Sequence, residues 1–187
     1  MVRATEDRVI PEYLDLLDEQ RETAFQSLEG LAADQIWQRP EPGEWCIGEI
    51  LNHNRLLFHT LFPMARFVWR FFRWTGKLWR NRKYRTDIED PYRKKSFPMW
   101  TGFIWTPKYG PENPVSIETL QEELRSEHQR VREFYEGKPE DLLGNVFLFD
   151  PLFGIFNLIV TLRIGIYHDQ LHYEDVIKMA VSMRDDD

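Results

Sequence analysis

Residues Leu152–Ala180 read LFGIFNLIVTLRIGIYHDQLHYEDVIKMA, and this stretch decides the fold. Leu158, Ile159, Leu162 and Ile166 recur at helical spacing, which predicts a core helix. His168 and His172 lie four residues apart near its end. A helix returns to the same face every 3.6 residues, so the two imidazoles project from one stripe, one turn apart. Thr161, Gly165 and Asp175 continue that stripe at steps of three and four. A polar stripe on a core helix is costly unless its members are paired or coordinated. Two inward imidazoles one turn apart are half of a metal site.

A third candidate lies upstream. His53 sits in GEWCIGEILNHNRLLFH, with Ile50 and Leu57 as apolar helical neighbours, so it also looks inward. Brought together, His53, His168 and His172 would hold one divalent ion and leave positions open. Three protein ligands plus water mark a catalytic metal rather than a structural one. Glu49 is one turn before His53. It is a catalytic candidate, as a general base or as an orienting partner of the imidazole. Cys46-Ile47-Gly48-Glu49 equally has the spacing of a capping box, with Cys in place of Ser or Thr. Asp175, one turn beyond His172, is a weaker orienting candidate. Asp169 is offset from His168 by about 100° around the helix and is set aside. His59 is about 240° from His53, and His128 sits among Arg125, Glu127 and Arg130; neither is expected to be a ligand. Cys46 is read as a packed cap residue in preference to a helix N-terminal nucleophile.

The whole chain supports the same picture. Its 187 residues suit one domain, 1–187, with a sizeable core. It carries 24 basic against 31 acidic residues, a net charge of -7, which argues against a general nucleic-acid binder. One cysteine excludes an intramolecular disulfide and fits a cytoplasmic setting. The N-terminus has no apolar segment of signal-peptide type. The longest apolar run, Leu152 to Ile166, is interrupted by Asn157 and Arg163 and is shorter than the ~20 residues of a spanning helix.

Four helices are expected. The first runs from Arg8 to Leu31 with one apolar face. The second starts near Cys46, with Pro63 as a break or kink. The third runs from Ser116, a capping residue, to Tyr135. The last starts after Asp150-Pro151 and reaches Met183. No strand is expected, and the fold class is an all-α four-helix bundle. Residues 66–114 read as a long aromatic and basic insertion between the second and third helices. It leaves the second helix downstream of His53, so it is expected to cover or flank the site, with Trp69, Trp74, Trp100 and Trp105 as candidate walls. Between Arg66 and Arg85 there are eight Lys or Arg, no acidic residue, and interleaved Trp and Phe. That is the composition of an interfacial helix, which would allow membrane-surface contact. It is equally that of a core or dimer face with arginines reaching past it.

Two motifs resemble the DinB-like family. WQRPEPGEWCIGEILNHNRLLFH resembles its second helix, in which a Trp precedes a ligand histidine by eight positions, here Trp45 and His53. DPLFGIFNLIVTLRIGIYHDQLHYEDVI resembles its last helix, with a Pro-x-x-Gly start and a closing His-x-x-x-His, here Pro151, Gly154, His168 and His172. The middle, 66–114, does not match. The resemblance implies an up-down-down-up bundle, often a homodimer, and a divalent metal, zinc or nickel, held by three histidines. It also implies metal-dependent hydrolase or thiol-dependent transferase activity on a small molecule, with a low-molecular-weight thiol as one possible partner. A non-catalytic metal-binding protein is the alternative.

Overall fold

A computed structural model describes residues 8–93, 105–150 and 154–185. Four long helices dominate it: α1 (Val9–Gln26), α3 (Ile47–Trp79), α4 (Ile117–Tyr135) and α6 (Leu158–Asp185). Two single-turn helices, α2 (Ala33–Ile36) and α5 (Glu140–Leu143), and two strands, β1 (Phe147–Asp150) and β2 (Gly154–Asn157), complete the described elements. α1 packs on α6 and α4, and α3 packs on α4 and α6. The four long helices therefore form a closed bundle, with α1 diagonal to α3. Among the described residues no helix is long and apolar enough to cross a membrane.

Three expectations need correction. First, α3 is not broken at Pro63. It runs unbroken to Trp79, so residues 66–79, expected as the start of an insertion, continue a bundle helix. Phe62, Ala65 and Val68 are buried on either side of the proline, and this packing holds the helix where local preference would break it. Second, strands exist. β1 and β2 pair antiparallel, Phe149 opposite Ile155 and Asp150 opposite Gly154. Gly154 has φ of +92°, a conformation for which glycine carries no steric penalty. Third, the last helix starts at Leu158 and not after Asp150; Pro151 lies outside the described residues. Asn157 caps it, its Oδ1 accepting from the Val160 amide at 2.9 Å, and Asn is among the best N-cap residues.

The core falls into two apolar clusters. One joins Leu14, Leu17, Phe58, Val131, Leu162 and Ile166. The other joins Ala24, Ile47, Leu51, Leu124, Tyr173 and Val176. Between them all four long helices contribute buried polar residues: Arg21, His53 and Asn54, His128, and His168 and Asp169. A polar layer through a bundle core is tolerated only where its members satisfy one another or a ligand. That layer is therefore the candidate site.

Candidate metal centre

The buried first half of α3 places His53, and α6 places His168 and His172. One ring nitrogen from each of the three lies within 4.8 Å of the other two. His53 Nε2 is 3.1 Å from His168 Nε2. The three rings are mutually tilted, with centroids 4.5–5.1 Å apart. Nitrogens bound to one zinc at about 2.0–2.1 Å sit about 3.0–3.4 Å from each other. The His53–His168 pair already has that spacing, and the His172 nitrogen lies within 4.8 Å of both.

The tautomer of His53 follows from its other side. Its Nδ1 lies 2.9 Å from the Trp105 carbonyl oxygen. A carbonyl only accepts, so Nδ1 carries the proton and donates. Nε2 is then left with its lone pair facing His168. Fixing the outer nitrogen with a backbone carbonyl is a common way to orient a metal-binding imidazole. Burial and the neighbouring His168 push His53 down to about 4. Burial and the other two imidazoles push His172 down to about 2. Both are neutral at pH 7, the form a metal requires. An all-imidazole donor set in a desolvated setting suits a divalent transition metal. No fourth His, Cys, Asp or Glu joins the cluster among the described residues.

The walls come from three places. Trp45, just before α3, stacks obliquely on His53 with centroids 4.8 Å apart. Tyr92 meets His168 edge-on at 5.6 Å, and Trp105 meets His53 at 6.5 Å. The segment bearing Trp105 is strapped along α3. Trp105 Nε1 donates to Thr60, the Lys108 amide donates to Asn52 Oδ1 at 2.7 Å, and Trp37 Nε1 donates to the Val115 carbonyl at 3.1 Å. Gly48 lets the Trp37 ring lie against α3, since a Cβ there would meet the ring at 2.5 Å. The α3–α4 connection does flank the site, but through Tyr92 and Trp105. Trp69 packs on Phe134 in the opposite core, Trp74 is exposed, and Trp100 lies outside the described residues.

Glu49 is engaged elsewhere. Its carboxylate accepts from Arg39 Nη2 at 2.6 Å and Nε at 3.0 Å, and from the Cys46 amide at 3.0 Å. Although burial alone would raise it, these donors hold its carboxyl below the usual range. The orienting partner of His53 is the Trp105 carbonyl and not Glu49. Asp175 likewise faces outward and pairs with Lys178 at 3.3 Å. Cys46 is fully buried, and burial pushes its thiol up to about 12, so it has no thiolate character at neutral pH. His59 is half-exposed and pairs with Glu127 at 2.8 Å.

Two residues set aside on sequence grounds prove central to the layer. His128 is not a surface residue among charges. It is buried, with Nδ1 3.0 Å from Arg21 Nη1 and Nε2 3.1 Å from Asp169 Oδ2. Asp169 is wholly buried, and its Oδ1 is 3.7 Å from His168 Nδ1. Neither contact of Asp169 is aligned as a hydrogen bond, so the carboxylate acts on both rings as a close charge. Burial alone would raise the Asp169 carboxyl, but the two imidazoles hold it below its usual range. Arg21, His128 and Asp169 thus form a buried chain leading from α1 through α4 to the back of His168.

The bundle is that of a known class. The sequence profile of the DinB superfamily matches residues 16–176, and the chain belongs to that superfamily. It is similar in structure to YfiT from Bacillus subtilis, described as a probable metal-dependent hydrolase with an unusual four-helix bundle topology. That likeness has a TM-score of 0.60 at 14% identity and covers 98% of this chain and 93% of that one. At such identity it is a likeness of fold. No curated protein is similar enough to this chain to count as a match.

Proposed function

We propose that this chain is a metal-dependent enzyme of the hydrolase type, with His53, His168 and His172 as ligands of a single zinc or nickel ion. One observation carries the reading: three imidazoles, two buried and one partly buried, converge with no fourth protein donor beside them among the described residues. Structural zinc is normally closed by four protein ligands, whereas catalytic sites keep a position open. When bound, such an ion lowers the pKa of water, or holds a thiol as thiolate, at neutral pH.

The chain's own residues supply orientation and shelter. The Trp105 carbonyl holds the His53 proton on Nδ1 and keeps Nε2 aimed inward. Asp169 places negative charge behind His168, which strengthens that imidazole as a donor. Trp45, Tyr92 and Trp105 give the site aromatic walls, suited to a small substrate with an apolar body. Glu49 is assigned to the helix cap and to holding Arg39, because all its near partners are donors already engaged. A thiol-dependent transferase is the second reading, favoured by the same open position.

The test is activity against a panel of small esters and amides, and against thiol conjugation, in metal-free and metal-loaded protein. Turnover that disappears on chelation, returns with zinc or nickel, and is absent in His172→Ala supports the enzyme reading. Stoichiometric metal binding with no turnover on any panel member would leave a metal-binding protein instead.

A further inference from the structure

The second half of α3 has two exposed stripes. Phe67, Phe71, Trp74 and Leu78 follow one another at steps of four, three and four, so they share one face. Their exposures are 57%, 52%, 57% and 70%, far above those of a core helix. The opposite face is the one that packs inward, through Ala65, Val68 and Gly76. At Gly76 an added Cβ would meet the Leu142 carbonyl and Val146 at 3.0 Å. Arg66, Arg70, Arg73, Lys77 and Arg80 form a second exposed stripe, offset by one residue and so about 100° around the helix. Among the described residues Arg70, Arg73 and Lys77 make no ion pair, while Arg80 pairs with Asp141 at 2.7 Å. The hairpin packs against α3 through β1. It leaves the cross-strand partners Phe149 and Ile155 exposed at 65% and 69%.

An apolar ridge of this extent on a folded chain marks a contact surface. Charge identifies the partner. Eight of the chain's 24 basic residues and none of its 31 acidic ones lie between residues 66 and 85. A second copy of the helix would bring no carboxylate of its own to the basic stripe. A single-stranded nucleic acid is held in a basic groove with stacking platforms, whereas this face is a convex helix flank ending in leucine. A plane that is apolar inside and anionic at its surface matches both stripes at once. We propose that the outer face of α3 beyond Ala65 docks the protein onto anionic lipid membranes. The bundle's remaining acidic surface would be repelled there, so only this face can approach.

Flotation of the full-length protein with vesicles tests this. The protein should float with vesicles of phosphatidylcholine containing about a third phosphatidylserine and not with phosphatidylcholine alone, and rising salt should release it. Arg70→Gln/Arg73→Gln/Lys77→Gln should weaken partition on the order of 100-fold, from about a factor of five for each basic residue near such a surface. Phe71→Ser/Trp74→Ser should also abolish flotation. Both variants should keep the wild-type helical circular dichroism, since the changed side chains are solvent-facing. No flotation with either vesicle, or variants that float like wild type, would overturn the proposal. So would a sedimentation dimer that Phe71→Ser/Trp74→Ser dissociates, or a single-stranded oligonucleotide that binds this face and displaces the vesicles.

Discussion

The two halves of α3 are one continuous helix in two environments. From Ile47 to Phe58 every residue but Arg55 is buried, whatever face it occupies. From Arg66 to Trp79 only Val68 and Gly76 are buried. In the first half, desolvation governs: it keeps His53 neutral and makes Glu49 depend on Arg39. In the second half charges are solvated, and the arginines cost little where they stand. The difference shows that helical periodicity alone does not place a side chain. The number of neighbours around the helix decides, and that number changes along α3 once the bundle no longer encloses it.

The sharpest way to break this contrast is to remove a ligand. His172→Ala should weaken zinc or nickel binding by at least about 1000-fold, well beyond the roughly 10–100-fold typical of an outer orienting partner; competition titration with a chelator measures it. Trp74→Ser at the exposed end should leave that affinity unchanged.

Asp169→Ala comes next. It removes the buried carboxylate facing His128 and His168, while Arg21 keeps Asp18 and Glu22. Denaturant unfolding of the metal-free protein should lose on the order of 1–3 kcal/mol, the range for removing a buried, partnered side chain. Asp169→Asn, which keeps the volume, should lower metal affinity about 10–100-fold. Loss of stability with unaltered metal affinity would make the Arg21–His128–Asp169 chain purely structural.

Acidity separates the two halves more gently. His53 is held at about 4 and His172 at about 2 in the folded chain, against about 6.5 unfolded. Between these values the unfolded state binds more protons than the folded one, so stability falls as pH falls. Metal-free protein should therefore lose melting temperature steadily from pH 6.5 towards 4. His172→Ala should flatten that slope, whereas Trp74→Ser should not alter it. The smallest effect is on stability at the exposed end: Trp74→Ser should change unfolding free energy by no more than about 0.5 kcal/mol.

The legibility of the sequence divides along the same line. His168 and His172 could be read because α6 is apolar around them, and His53 because Ile50 and Leu57 flank it. His128 could not, since Arg125, Glu127 and Arg130 give its neighbourhood the look of a surface. Its burial comes from Arg21 and Asp169, on helices far away in sequence. Asp169 was set aside on a 100° offset that matters on a half-buried helix. From Leu158 to Asp169 α6 is buried over most of its circumference, so adjacent residues can both point inward. The hairpin escaped because four-residue strands carry too little periodicity, and Pro151 imitates a helix start. The continuity of α3 through Pro63 escaped because its outward arginines and aromatics hid the inward spacing of Ala65, Val68, Trp69 and Gly76.

The central claim is a single ion on three imidazoles with room left for substrate. X-ray absorption of tag-free protein loaded with one equivalent of zinc or nickel tests it most directly. Three imidazole nitrogens are expected at about 2.0–2.1 Å, completed by light oxygen donors that an added small-molecule thiol can replace. A shell with Cys46 sulfur, a shell closed by four protein ligands, or no bound metal would contradict it.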